Sequence, residues 1–183
     1  MKYASEALRI EHDSILFGLD VLEQMVSQLE QTGLLDSADV DSMVDFLRLF
    51  ADKCHHGKEE GLMFPAMEEA GIPNENGPIG QMLMEHTQGR KYIAAMGAST
   101  EGGALQPEMF ASAAVEYVKL MRVHINKENM VLFPMGDKVL PVGEQLKLLE
   151  QFEEFEAEVM GEDVHEKLHA TLDLFEEKYL VAK

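Results

Sequence analysis

Apolar residues recur along this chain at the three- and four-residue spacing of amphipathic helices, and alternating β-branched runs are absent. Roughly Tyr3 to Gln31 carries Leu8, Ile15, Leu19, Leu22, Val26 and Leu29 on one stripe, with Thr32-Gly33 as the stop. A second helix starts near Asp39 or Asp41, either a suitable cap, and turns Met43, Leu47, Ala51, His55, Glu59 and Leu62 inward. At Pro65 it either kinks and continues or breaks. Gly71 to Pro78 is a turn-rich loop. The third helix follows Pro78, with Ile79, Leu83, His86, Arg90, Ile93 and Met96 or Gly97 inward. Ser99 to Pro107 connects it to a fourth, whose inward face is Phe110, Ala113, Tyr117, Met121, His124, Glu128 and Val131. Beyond Pro134 and Pro141, an acidic helix from Glu144 to about Met160 has Leu148, Phe152, Phe155 and Val159 as its apolar side. Gly161 ends it, and a last helix from about Asp163 to Leu180 carries His165, Leu168, Leu172, Phe175 and Tyr179. The predicted fold is all-α: an up-down-up-down four-helix bundle over residues 1–135, with additional C-terminal helices over 141–183, in one domain.

The inward stripes are interrupted by polar residues in a doubled pattern. His55-His56-Gly57-Lys58-Glu59-Glu60-Gly61-Leu62-Met63-Phe64-Pro65 aligns with His124-Ile125-Asn126-Lys127-Glu128-Asn129-Met130-Val131-Leu132-Phe133-Pro134 at an offset of 69 residues. Each copy holds His-x-x-x-Glu, one helical turn apart and therefore on one face. Glu11-His12 precedes the first copy and Glu85-His86 the second. His12 lies on its helix's apolar stripe, four residues after Leu8 and three before Ile15, so its imidazole points inward. In an up-down-up-down bundle His12 and His86 stand early in their helices and the two His-x-x-x-Glu pairs late in theirs, which brings all six side chains to one level. A buried ionised Glu without a partner costs several kcal/mol. Metal binding by His12, His55, Glu59, His86, His124 and Glu128 is the reading that satisfies both carboxylates. Four imidazoles and two carboxylates can hold two ions and suit iron, with manganese or zinc behind it, better than calcium.

His56 sits about 100° round from His55 and is expected at the surface or behind the ligands. Tyr117, two turns before His124, either donates a hydrogen bond near the site or packs in the core. His165 supplies a fifth imidazole if residues 144–160 cross the open end of the bundle, and is carried to the far end if they run antiparallel along it. His169 lies off the centre of that stripe.

The chain has 34 Asp and Glu against 15 Lys and Arg, a net charge of −19, so phosphate backbones and anionic lipid are poor partners. Apolar residues make up 46%, ordinary for a globular protein. Nothing at the N-terminus resembles a signal peptide, no run approaches membrane-spanning length, and one cysteine excludes an intramolecular disulfide, so a cytoplasmic setting is expected.

From Glu11-His12 through Phe133-Pro134 the chain resembles the hemerythrin-like proteins, also called HHE cation-binding proteins. His165-Glu166-Lys167-Leu168-His169 is similar to a C-terminal segment of a bacterial branch. The resemblance implies a non-haem di-iron centre, oxo- or hydroxo-bridged, that binds or reacts with dioxygen, peroxide or nitric oxide. His12, His55, Glu59, His86, His124 and Glu128 match the metal-ligand positions. Two positions depart from the oxygen-carrying members: Arg90 stands where a His-x-x-x-His on the third helix is expected, and Glu128 lies four residues after the last His where they have Asp at five. Reversible oxygen carriage is therefore not implied. Arg90 either pairs with Glu59 or Glu128, meets an anionic ligand, or forms a salt bridge elsewhere. A non-catalytic iron, oxygen or redox sensor is the alternative function, and a structural zinc site a third.

Overall fold

The computed structural model describes residues 2–181; within the last helix, the side chains of Glu162, Asp163, His165, Glu166 and His169 lie outside that description. Among the described residues there are six helices and no strand. Helix α1 is Ala4–Thr32. Helix α2 begins as Ser37–Phe46, continues through wide π-helical turns at Leu47–His56 and Glu59–Met63, and closes as Phe64–Glu69. Helix α3 is Pro78–Ala98. Helix α4 begins as Pro107–Lys127, passes through a π turn at Glu128–Leu132 and closes as Phe133–Val139. Helix α5 is Val142–Met160, and α6 is Glu162–Phe175 with a final π segment Glu176–Val181.

The ends follow local chemistry. Gly33 adopts φ 71°, the left-handed conformation that L side chains resist, and donates its N–H to Leu29. The second helix starts earlier than expected, because Asp36 rather than Asp39 or Asp41 caps it, its carboxylate accepting the Ala38 N–H at 2.9 Å.

Neither Pro65 nor Pro134 breaks its helix. A proline in mid-helix has no N–H to give and crowds the carbonyl four residues back. Here the residue before each proline instead donates five residues back, Phe64 to Glu59 and Phe133 to Glu128. The wider turn makes room for the ring and adds a residue. It also shifts the inward face by one position: Met63 and Leu132 are buried, whereas the expected Leu62 is only partly buried and the expected Val131 is exposed. The two π turns are themselves 69 residues apart, so the internal repeat extends to the backbone.

Helix α4 packs along α3 and α1; α2 packs against α1 and α3. Helix α5 lies over α1 and α2, and the end of α6 returns to α1. Side chains inside these helices form two apolar clusters. The larger includes Ile15, Leu19, Leu22, Leu47, Ala51, Ile93, Met121 and Ile125. The smaller includes Leu8, Met63, Phe64, Met82, Leu132 and Phe133. Each buried aliphatic or aromatic side chain contributes about 1.5–3 kcal/mol. Along α1 the two clusters meet on either side of His12, and along the other three helices they meet on either side of His55/Glu59, His86 and His124/Glu128. The polar residues thus form a layer between two apolar ones. No described helix is long and apolar enough to cross a membrane.

Candidate metal centre

His12, His55, His86, His124, Glu59 and Glu128 are all buried and face one another. His12 Nε2 lies 3.2 Å from Glu128 Oε2, and His124 Nε2 lies 3.3 Å from the same oxygen. Glu59 offers Oε1 to His55 Nε2 at 3.5 Å and Oε2 to His86 Nε2 at 3.3 Å. Each carboxylate therefore stands between two imidazoles carried by different helices. His56 is drawn in as well. The expectation that it turns away rested on α-helical rotation, but residues 47–56 are wound as a π-helix, and His56 is 1% exposed with its ring stacked on His86 at 3.8 Å. Two groups of donors result, each within a span that a single ion could join: His56, Glu59, His86 and His124, and His12, His55, Glu59 and Glu128. Glu59 belongs to both.

The ring nitrogens show what the cavity is built to receive. All five imidazoles point Nδ1 outward to an acceptor. His55 donates to Glu11 at 2.8 Å, His86 to Glu60 at 2.7 Å, His124 to Glu85 at 2.9 Å, His56 to Asp52 at 3.3 Å and His12 to Asn129 at 2.9 Å. Each Nε2 is left facing inward, where it can bind a metal ion or, in its absence, a proton. His12, His55 and His56 Nε2 and all four oxygens of Glu59 and Glu128 are buried with no hydrogen-bond partner, while the Nε2 atoms of His86 and His124 face each other at 3.1 Å. Burying so many acceptors against one another costs about 1–3 kcal/mol each, unless a cation sits among them. Two donors bound at right angles to one ion, each at about 2.1 Å, are about 3 Å apart, close to the spacing found here. The residues fit a pair of metal ions.

Behind the acceptors stand cations. Lys58 donates to Glu11 at 2.7 Å and to Glu156 of α5 at 2.6 Å; Lys127 donates to Glu85; Arg90 donates to Asp52 and Glu60, both at 2.7 Å. Arg90 thus takes neither Glu59 nor Glu128 as partner. Burial works against the negative charge of Glu59, yet the facing His55, His86 and His12 outweigh it and hold its carboxyl down to about 2. Burial likewise disfavours charge on His86, but Glu59 and Glu60 raise it to about 9.

The internal repeat is legible in these contacts. His55–Glu11–Lys58 corresponds to His124–Glu85–Lys127, and His12–Asn129 to His86–Glu60. The two Phe-Pro pairs serve the same purpose: Phe133 stacks on His12 at 5.5 Å and Phe64 on His86 at 5.9 Å. Residues 3–136 match the hemerythrin HHE cation binding domain. The chain belongs to the hemerythrin HHE cation-binding family. Within the curated proteins, this hemerythrin-like chain is similar to the uncharacterized protein Rv1995 of Mycobacterium tuberculosis and the uncharacterized protein Mb2018 of Mycobacterium bovis. Each is 24% identical over 163 residues, covering 87% of this chain and 63% of the relative, so the chain spans less than two thirds of their length. No solved structure matches the sequence.

Tyr117 of this hemerythrin-like domain is fully buried, its ring against Gly89, and its hydroxyl has no partner among the described residues. The alternatives set out for His165, and the position of His169, fall on side chains outside the described residues. Sequence reasoning gave no place to Asp52 or Asn129 and no role to Glu11, Glu85 or Lys58. A signal for three of them was present, since Lys58 matches Lys127 and the pairs Glu11-His12 and Glu85-His86 match each other.

Proposed function

We propose that this chain is a non-haem di-iron protein, built on an up-down-up-down four-helix bundle, that binds or reacts with a small oxidant: dioxygen, peroxide or nitric oxide. The observation that carries the reading is the set of buried, inward-facing donor atoms in two overlapping groups: three imidazole Nε2 and four carboxylate oxygens without partners, and the Nε2 atoms of His86 and His124, which face each other. When bound, two irons supply the electron transfer that an oxidant requires. The chain's own residues do the rest. The Nδ1–H bonds to Glu11, Asp52, Glu60, Glu85 and Asn129 fix each ring's tautomer and direction, and carboxylate acceptors raise the basicity of Nε2. The apolar clusters above and below exclude bulk water, which strengthens every charge interaction between them.

A sensor or iron-handling role has one contact in its favour. Lys58, 2% exposed, joins Glu11 at the site to Glu156 on α5, so a shift of His55 on metal loading is passed to the C-terminal helices. Metal analysis and an optical spectrum of freshly purified protein test the di-iron reading. Two irons per chain with near-ultraviolet bands of a ferric centre are expected; stoichiometric zinc from iron-replete cells overturns it. Turnover of peroxide or nitric oxide then separates the enzyme from the sensor.

A further inference from the structure

Besides Glu60 against Asn129, the two halves of the cluster set a polar residue against an apolar one at three positions, and the polar members all fall on one side. The repeat places His56 against Ile125 and Asp52 against Met121, while the matched Glu-His pairs place Arg90 against Leu16. One half thus carries an imidazole, a carboxylate and a guanidinium where the other carries three apolar side chains. The three are joined. A single oxygen, Asp52 Oδ1, accepts from His56 Nδ1 at 3.3 Å and from Arg90 Nε at 2.7 Å. A single oxygen of Glu60, Oε1, accepts from His86 Nδ1 at 2.7 Å and from an Arg90 terminal nitrogen at 2.7 Å. His56 and His86 are stacked, so the guanidinium holds two carboxylates that hold two touching rings. Arg90 also lines a cleft of about 440 Å³ between α2 and α3, with Val44, Asp52, Ile93 and Gly97 among its walls. The cation of the other half, Lys58, which the repeat pairs with Lys127, is sealed under α5.

We propose that Arg90 is the positioning residue of the three-imidazole group, fixing His56 and His86 through Asp52 and Glu60, so that its removal weakens one of the two metal positions and spares the other. This rests on the reading that the cluster holds two ions. Lysine replaces it only in part, because an ammonium is a single point and not a planar fork with separate nitrogens for Asp52 and Glu60.

The test is anaerobic iron(II) titration of the full chain against a competing chelator, with ¹⁵N NMR of the histidine rings in the metal-free protein. Arg90→Gln is expected to lower affinity at one position by about 10–100-fold, the usual effect of losing such an outer contact, and to leave the other position within about twofold. In the same metal-free variant the Nδ1–H signals of His56 and His86 should broaden while those of His55 and His124 persist. Arg90→Lys should change both readouts in the same direction and by less, and serves alone if the glutamine variant does not fold. Arg122→Gln is the matched control. Its guanidinium bridges Asp20 and Glu23, both at 2.6 Å, with a similar exposure, and these carboxylates hold none of the five rings. Wild-type affinity at both positions in the Arg90 variants overturns the proposal, as does equal weakening by Arg122→Gln. Wild-type protein that takes up fewer than two irons overturns the di-iron reading instead, and the histidine signals of the metal-free variants still decide whether Arg90 positions the rings.

Discussion

Glu59 and Glu60 are neighbours in sequence with opposite surroundings. Glu59 is fully buried, places one oxygen near His55 and the other near His86, and belongs to both donor groups. Glu60 is 29% exposed on its side chain and accepts from His86 Nδ1 and Arg90, one layer further out. Glu59→Gln keeps the shape but turns an acceptor into a donor that faces imidazole lone pairs, and at least one of two metals should be lost. Glu60→Gln should keep both, with affinity lowered by no more than about 100-fold. Metal analysis after dialysis distinguishes the two; loss in the Glu60 variant with retention in the Glu59 variant would mean that the 69-residue alignment is out of register. Glu59 could be read from sequence because it continues an apolar stripe, which leaves a buried carboxylate to be accounted for. His56 could not, because α-helical rotation aims it aside and nothing local announces a π-helix over residues 47–56. Asp52, one turn before His56, was the available clue, a carboxylate placed to hold its Nδ1.

At the scale of elements, the apolar spacing located all six helices to within a few residues, since burial on one face is what that spacing reports. It left open what happens at Pro65 and misplaced the inward residue beyond each proline, because the pattern carries no mark of a turn widened by one residue. The sandwich of the cluster between two apolar layers was equally hidden, since it depends on which turns of four helices come level. Lys58 and Lys127 are the same position of the repeat in unequal settings. Lys58 is sealed between Glu11 and Glu156, with the Phe155 ring packed so close that a Cβ on Gly57 would lie 2.8 Å from it. Lys127 is 35% exposed at its side chain beside Glu85. Lys58→Met removes a buried cation and leaves the part-buried Glu11 without it, and should cost about 3–5 kcal/mol, with faster amide exchange along α5. Lys127→Met should cost about 1 kcal/mol or less, because the lysine is itself solvated and Glu85 keeps the His124 Nδ1–H and the Gln81 amide as donors. Chemical denaturation of the two variants gives the comparison. Equal losses would show that α5 does not seal the site.

For the whole molecule, the decisive quantity is the charge that four helices jointly enclose. Without metal, Glu59 is held down to about 2 by the imidazoles that face it, and Glu59 and Glu60 in turn raise His86 to about 9, although burial opposes both charges. Protons then stand where metal ions would. The ordinary value for a histidine is about 6.5. A group whose folded value lies above its unfolded one contributes stability in full below the unfolded value, and that contribution is lost as pH rises through the folded value. The metal-free protein should therefore weaken between about pH 6.5 and about pH 9, as His86 gives up its proton and leaves Glu59 and Glu60 less compensated. Metal binding needs the unprotonated ring, so it strengthens across the same interval. Both trends push the melting temperatures of the loaded and metal-free proteins apart as pH rises. Calorimetry of the two forms at pH 6, 7.5 and 9 should show the gap widening at each step. Amide exchange in the metal-free form should quicken first around His12, His55 to Glu59, His86 and His124 to Glu128, the layer that loses its cations, before the apolar clusters on either side. A gap that stays constant or narrows with pH would show that protons do not compensate the buried carboxylates, and that the folded state keeps the cluster together by packing alone.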